Sequence, residues 1–87
     1  MRDVEKILKA MANQRRLAIV RYLKKEKDAT VGDIASNIKL SFKATSKHLA
    51  ILHGADIVEK EQKGLQMFYK LSSPLHHLAK YISNSRE

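Results

Sequence analysis

The sequence predicts a mainly α-helical domain with a small β-hairpin, in the order helix, helix, helix, helix, hairpin, helix. Three observations predict it. Apolar residues recur at helical spacing through the first half of the chain and again near its end. Residues suited to helix capping stand just ahead of these stretches. Between residues 57 and 71 the apolar period shortens to that of paired strands around a glycine. A chain of 87 residues has room for one core, since domains of this size bury only about 60 to 65% of their unfolded surface. The whole chain, 1–87, is therefore read as one domain, and any apolar helix face left over invites a second copy.

Val4, Ile7, Leu8 and Met11 fall at i, i+3, i+4 and i+7 behind Asp3 as N-cap, giving a first helix over about residues 3–12. Asn13 caps a second, whose broad apolar face of Leu17, Ala18, Ile19, Val20 and Leu23 ends at the polar stretch Lys24 to Asp28. Thr30, Val31, Gly32, Asp33 has the spacing of a capping box with Asp in place of Glu, and opens a third helix burying Ile34, Ala35 and Ile38. After a Lys39, Leu40 link, Ser41 caps a fourth helix from Phe42 to Gly54, with Thr45, Leu49 and Leu52 on one face. Two helices this close form a helix-turn-helix candidate over about residues 30–54.

Strands Ile57 to Glu61 and Gln66 to Leu71 follow, forming a wing over about 57–71. Their turn is Gln62, Lys63, Gly64, Leu65, where Gly64 supplies a positive φ. Ser73 and Pro74 start a last helix over about 74–83, with Leu75, Leu78 and Ile82 on one side, and residues 83–87 read as frayed. This order is that of a winged helix-turn-helix with an extra helix at each end.

Seventeen Lys and Arg against nine Asp and Glu give a formal charge of +8, which suits a polyanionic partner: a phosphate backbone, an RNA or an anionic membrane. Charge alone does not choose among these, and a basic surface also serves solubility. The absence of Cys removes disulfides, thiolate metal sites and thiol redox chemistry. Charges at Arg2, Asp3, Glu5, Lys6 and Lys9 interrupt any signal-peptide core, and no stretch approaches the roughly 18 apolar residues of a membrane span, so a cytoplasmic protein without a membrane partner is expected. No catalytic triad or paired carboxylates stand out, and an enzyme is not expected.

Met11-Ala12-Asn13-Gln14-Arg15-Arg16-Leu17, the segment Leu40 to Leu52 with its S-x-x-x-x-S-x-H-L-x-x-L spacing, and the segment from Lys63-Gly64 to Tyr69-Lys70-Leu71 resemble the ArsR/SmtB family of winged-helix repressors. The resemblance runs from Met11 to Ile82, and rests on the order and spacing of these segments. It implies a homodimer paired through the first and last helices, a bacterial or archaeal cytoplasmic setting, and repression altered by an inducer. The residues agree on pairing: Val4, Ile7, Leu8, Leu75, Leu78 and Ile82 form stripes outside the three-helix core, available to a partner copy. The alternative is that both terminal helices fold back on their own core.

Residues near the N-terminus of a helix seated in the major groove reach base edges, while flanking donors meet phosphates. Facing away from Thr45, Leu49 and Leu52 are Phe42, Lys43, Ser46 and Lys47, with His48 beside them. Ser41 serves as cap or phosphate donor. Lys43 and Lys47 suit a guanine edge or a phosphate, and Ser46 both donates and accepts. Phe42 stands where the family commonly has a polar residue, and is open between packing on a thymine methyl and tucking against the preceding turn. His48 is open between a phosphate contact and a hydrogen bond inside the domain, with the second preferred. On the wing, Gln62 and Lys63, with Lys60 behind, suit a backbone or minor-groove contact, whereas Leu65 replaces a common family Arg. Arg15 suits a phosphate or an ion pair, and Arg16 reads as structural.

No metal or other cofactor is expected. The family's thiolate site on the third helix falls here on Thr30 and Gly32 around Val31, and its second site falls on Ser73 and Leu75. His76 and His77 are adjacent, about 100° apart on a helix, and His53 is isolated. The expected function is a sequence-specific double-stranded-DNA-binding transcriptional regulator, a homodimeric repressor with an unidentified inducer. A protein–protein adaptor or a nonspecific nucleoid-type DNA binder is the alternative.

Overall fold

The structure is a computed structural model that describes residues 4–72, so the expected last helix over 74–83, with Leu75, Leu78 and Ile82, lies outside the described residues. Within them the chain forms α1 (Val4–Met11), α2 (Gln14–Glu26), β1 (Asp28–Thr30), α3 (Val31–Ile38), α4 (Phe42–Gly54), β2 (Val58–Lys63) and β3 (Gln66–Leu71). The architecture is mainly helical with a small antiparallel sheet in the order β1-β3-β2.

The caps read at Asn13, Thr30 and Ser41 are made, while Asp3 and Ser73 lie outside the described residues. The Asn13 side chain accepts from the Arg15 and Arg16 amides at 2.9 and 3.0 Å, satisfying two of the donors that the first turn of α2 leaves without helical partners. Thr30 Oγ1 accepts from Asp33 N at 3.2 Å while Asp33 Oδ2 accepts from Thr30 N at 3.4 Å, a reciprocal box that starts α3. At the other end of α3, Lys39 takes a left-handed conformation (φ 57°) and Leu40 N donates to Ala35 O at 3.0 Å. That closure turns the chain sharply into α4. Ser41 Oγ then accepts from Ala44 N at 3.1 Å and fixes the start of α4.

Two expectations about the sheet are corrected. Asp28 to Thr30, read as the polar end of α2 followed by a cap, is a third strand: Asp28, Ala29 and Thr30 pair with Lys70, Tyr69 and Phe68. Ala29 is buried, and the strand covers an edge of β3 that a bare hairpin leaves open. The hairpin is also tighter than expected. Its ladder continues to Lys63 opposite Gln66, so the turn is the two residues Gly64 and Leu65 rather than Gln62 to Leu65. Gly64 at φ 64° followed by a residue with negative φ is the pattern of a type II′ turn, whose twist matches the strands it joins.

Ile19, Leu23, Ile34, Leu49, Leu52, Ile57 and Val58 form the centre of the core, drawn from α2, α3, α4 and the start of the wing. A third correction concerns α1. Ile7 and Ala10 are buried in this same core and Met11 packs against it, so Ile7 belongs to its own domain and not to a free stripe. Val4 and Leu8 remain 59% and 63% exposed on the outer side of α1. The helix is thus amphipathic toward its own core yet keeps an apolar edge in water.

Candidate nucleic-acid interface

The phase of α4 decides which of its side chains meet solvent. Thr45, Leu49 and Leu52 are fully buried, and the helix advances about 100° per residue, which places Lys43 and Lys47 about 160° and 200° round from Thr45. Both lysines are exposed. Phe42, at the first position of the helix, is 63% exposed, so its ring stands in solvent and is not tucked against the turn. Ser46 is half-buried beside this face, and Ser41 is exposed with its hydroxyl engaged as the cap. α3 packs against α4, and the capped turn between them fixes where this surface starts.

His48 lies on the other flank, half-buried. Arg16 Nη1 approaches His48 Nδ1 at 3.3 Å, and since a guanidinium only donates, that ring nitrogen accepts and the imidazole is neutral. Arg16 Nε also donates to Ala10 O. Burial, then Arg16, then Arg15 hold the His48 pKa below its ordinary value. One arginine therefore joins the end of α1, the start of α2 and the middle of α4, in agreement with its structural reading. Arg15 Nη1 reaches Ile38 O at 3.4 Å, where the end of α3 leaves carbonyls without helical partners.

On the wing, the candidate side chains are engaged locally. Gln62 Nε2 donates to Gly64 O at 3.2 Å across the turn. Lys63 Nζ donates to Asp28 Oδ2 at 2.7 Å and lies 5.0 Å from the Phe68 ring centroid. This tie between β2 and β1 raises the Lys63 pKa, chiefly through the hydrogen bond to Asp28. The expected tip cation is thus turned toward β1, while Lys60 is exposed and Leu65 stands fully in solvent at the turn. A second strand-to-strand pair joins Lys70 and Glu61 at 3.6 Å.

No local pattern in the sequence predicts the Arg16–His48 and Lys63–Asp28 links, since the first spans 32 residues and the second 35. A strand at Asp28 to Thr30 was the one signal that brings Asp28 beside the wing. Among the described residues no group of three or more His, Cys, Asp or Glu comes together as a metal cluster, and Thr30 is occupied as a cap. Ser73, Leu75, His76 and His77 lie outside those residues. No helix among them is long and apolar enough to cross a membrane.

The family described as "Bacterial regulatory protein, arsR family" matches residues 13–60, which run from the cap of α2 into β2. The transcriptional activator HlyU of Vibrio cholerae is 42% identical over 67 residues, covering 77% of this chain and 61% of HlyU, less than two thirds of that protein's length. The transcriptional repressor PagR of Bacillus anthracis is 32% identical over 74 residues, covering 85% of this chain and 74% of PagR. Among solved structures, HlyU from Vibrio cholerae superposes with a TM-score of 0.79 at 33% identity, over 92% of this chain and 84% of that one. A homodimeric winged helix-turn-helix DNA-binding domain from Mycobacterium bovis does so with a TM-score of 0.79 at 25% identity, over 95% and 80%. In sequence, in the order of its elements and in fold, the chain belongs to the arsR family of bacterial transcriptional regulators.

Proposed function

We propose that this regulator binds double-stranded DNA sequence-specifically as a homodimer and represses transcription, with α4 of each protomer in a major groove. The observation that carries the reading is the exposed Lys43 and Lys47 face of α4, set opposite a fully buried Thr45, Leu49, Leu52 face on a helix whose start is capped by Ser41. A rigid helix with its cations outward and its N-terminus open has the form needed to enter a groove about 12 Å wide and meet phosphates on either side. Ser41 and Ser46 adjoin the same surface, and Phe42, about 100° round from Lys43, is exposed at its N-terminal edge. His48, held against Arg16, positions α4 from within, and Gln62 and Lys63 shape the wing that follows the neighbouring backbone.

Dimerisation is supported by the apolar edge of Val4 and Leu8 on α1, joined in this reading by Leu75, Leu78 and Ile82, and by the homodimeric state stated for the Mycobacterium bovis relative. Two copies related by a two-fold axis suit half-sites about 34 Å apart. Repression is the sign named for PagR, for SdpR and for the arsenical resistance operon repressor of Bacillus subtilis, whereas HlyU is named an activator. The proposal places the protein in the cytoplasm, gives it no catalytic role and no metal, and leaves the inducer open.

A second reading, a winged-helix protein–protein adaptor, is favoured by the exposed apolar side chains Phe42 and Leu65. Selection of bound duplexes from a random library, followed by titrations at several salt concentrations, separates the readings. A palindromic sequence preferred over random duplex by a factor on the order of 10³ or more is expected. Salt-sensitive binding without preference supports the nucleoid-type alternative, and no retained duplex supports the adaptor.

A further inference from the structure

We infer that Phe42 determines base specificity by reading the 5-methyl group of a thymine in each half-site. The inference rests on the proposed DNA-binding reading and names a base that this surface selects.

Phe42 is the first residue of α4, the part of a groove-bound helix that comes nearest the base edges. Its ring is 63% exposed, and it is not among the partly buried hydrophobic residues that pack against the core. A phenyl ring neither donates nor accepts a conventional hydrogen bond, so it cannot read the donor and acceptor pattern of guanine, adenine or cytosine. The thymine methyl is the apolar feature that the major groove presents. The setting on the helix favours DNA as the occupant of this apolar spot. Lys43 follows directly and Lys47 lies one turn further on, both exposed, in a chain with a formal charge of +8. Cations this close suit a surface flanked by phosphates, and their desolvation against an apolar protein patch is unfavourable. The Ser41 cap and the turn at Lys39 fix where α4 begins, and so the backbone position from which the ring projects.

The test uses the full chain and the duplex recovered from a random library. Each thymine is replaced in turn by deoxyuridine, symmetrically in both half-sites, which removes the methyl and leaves every hydrogen-bonding group unchanged. Loss of one buried methyl contact corresponds to a factor of about 3 to 5 per half-site, so one symmetric position is expected to weaken wild-type binding by about 10-fold or more. Phe42→Ala is expected to bind the thymine and deoxyuridine duplexes equally. In Phe42→Gln the preference at that position is expected to move toward adenine, whose N6 and N7 pair with an amide. Wild-type binding that is insensitive at every thymine overturns the inference and leaves DNA binding intact. An unchanged thymine preference in Phe42→Gln does the same. Recovery of no duplex at all overturns the DNA-binding reading and this inference with it.

Discussion

Thr45→Val tests the helical phase on which the interface depends. Thr45 is fully buried on α4, and its hydroxyl oxygen has no hydrogen-bond partner. A buried hydroxyl without a partner costs about 1 to 3 kcal/mol relative to its hydrated state, whereas a methyl of nearly the same size in the same place adds apolar contact. Both residues are β-branched, so helix propensity is nearly unchanged. Thr45→Val is therefore expected to stabilise the fold by about 1 kcal/mol, which raises the melting temperature of a domain of this size by about 4 to 8 °C. The assay is reversible thermal unfolding followed by circular dichroism, at one pH and one protomer concentration, because association makes the midpoint concentration-dependent. Duplex affinity is expected to stay within about two-fold, since the changed group lies away from the exposed Lys43 and Lys47 face. A melting temperature that falls, or a large change in affinity, contradicts an inward Thr45. The assignment of Lys43 and Lys47 to the outer face then fails as well, because one phase sets all three.

Three further predictions concern the Arg16–His48 link, the outer edge of α1 and the wing turn. The His48 pKa lies below its ordinary value of 6.5, so protonation opposes the fold: its contribution is fully present above about pH 6.5 and is lost as pH falls through the lower folded value. Urea unfolding between pH 7.5 and pH 5 is expected to show this acid-side loss in the wild type and a flatter profile in His48→Gln; equal slopes in the two proteins contradict the lowering of the His48 pKa by burial and by Arg16. Leu8→Glu, at a site 63% exposed, is expected to convert a dimer to a folded monomer in sedimentation equilibrium, and an unchanged dimer removes α1 from the interface. Gly64→Ala meets no atom within 4 Å, so only the positive φ of 64° resists it, and a loss of about 1 kcal/mol is expected in urea unfolding. No loss argues against the type II′ turn.

Much of the scaffold was legible because its signals are local. The caps at Asn13, Thr30 and Ser41 sit within three residues of the amides they satisfy, and Thr45, Leu49 and Leu52 repeat at helical spacing, so α2, α3 and α4 could be bounded from the chain alone. Less was legible where contacts are distant. β1 has three residues, too few for a period to emerge, and Thr30 is at once its last residue and the cap of α3. The burial of Ile7 follows from how α1 docks, and the apolar stripe that contains it is equally compatible with facing a partner. The exposed lysines of α4 were readable from helical phase, but the engagement of Lys63 with Asp28 depends on β1 pairing with β3. From the sequence His48 suits both groove and domain, and the contact that engages it comes from Arg16, 32 residues away in sequence.

The central claim, that the outer face of α4 is the DNA-binding surface, is tested most directly by two double variants of equal charge change. Lys43→Ala with Lys47→Ala removes two cations from that face, and Lys24→Ala with Lys25→Ala removes two from the last turn of α2. Titrating each against one selected duplex over a range of salt separates local contact from overall charge. The α4 pair is expected to lose affinity more than about 10-fold and to lower the salt slope by up to about 2 per protomer, while the α2 pair stays near wild type. Equal losses in the two variants, or a greater loss in the α2 pair, contradict the account.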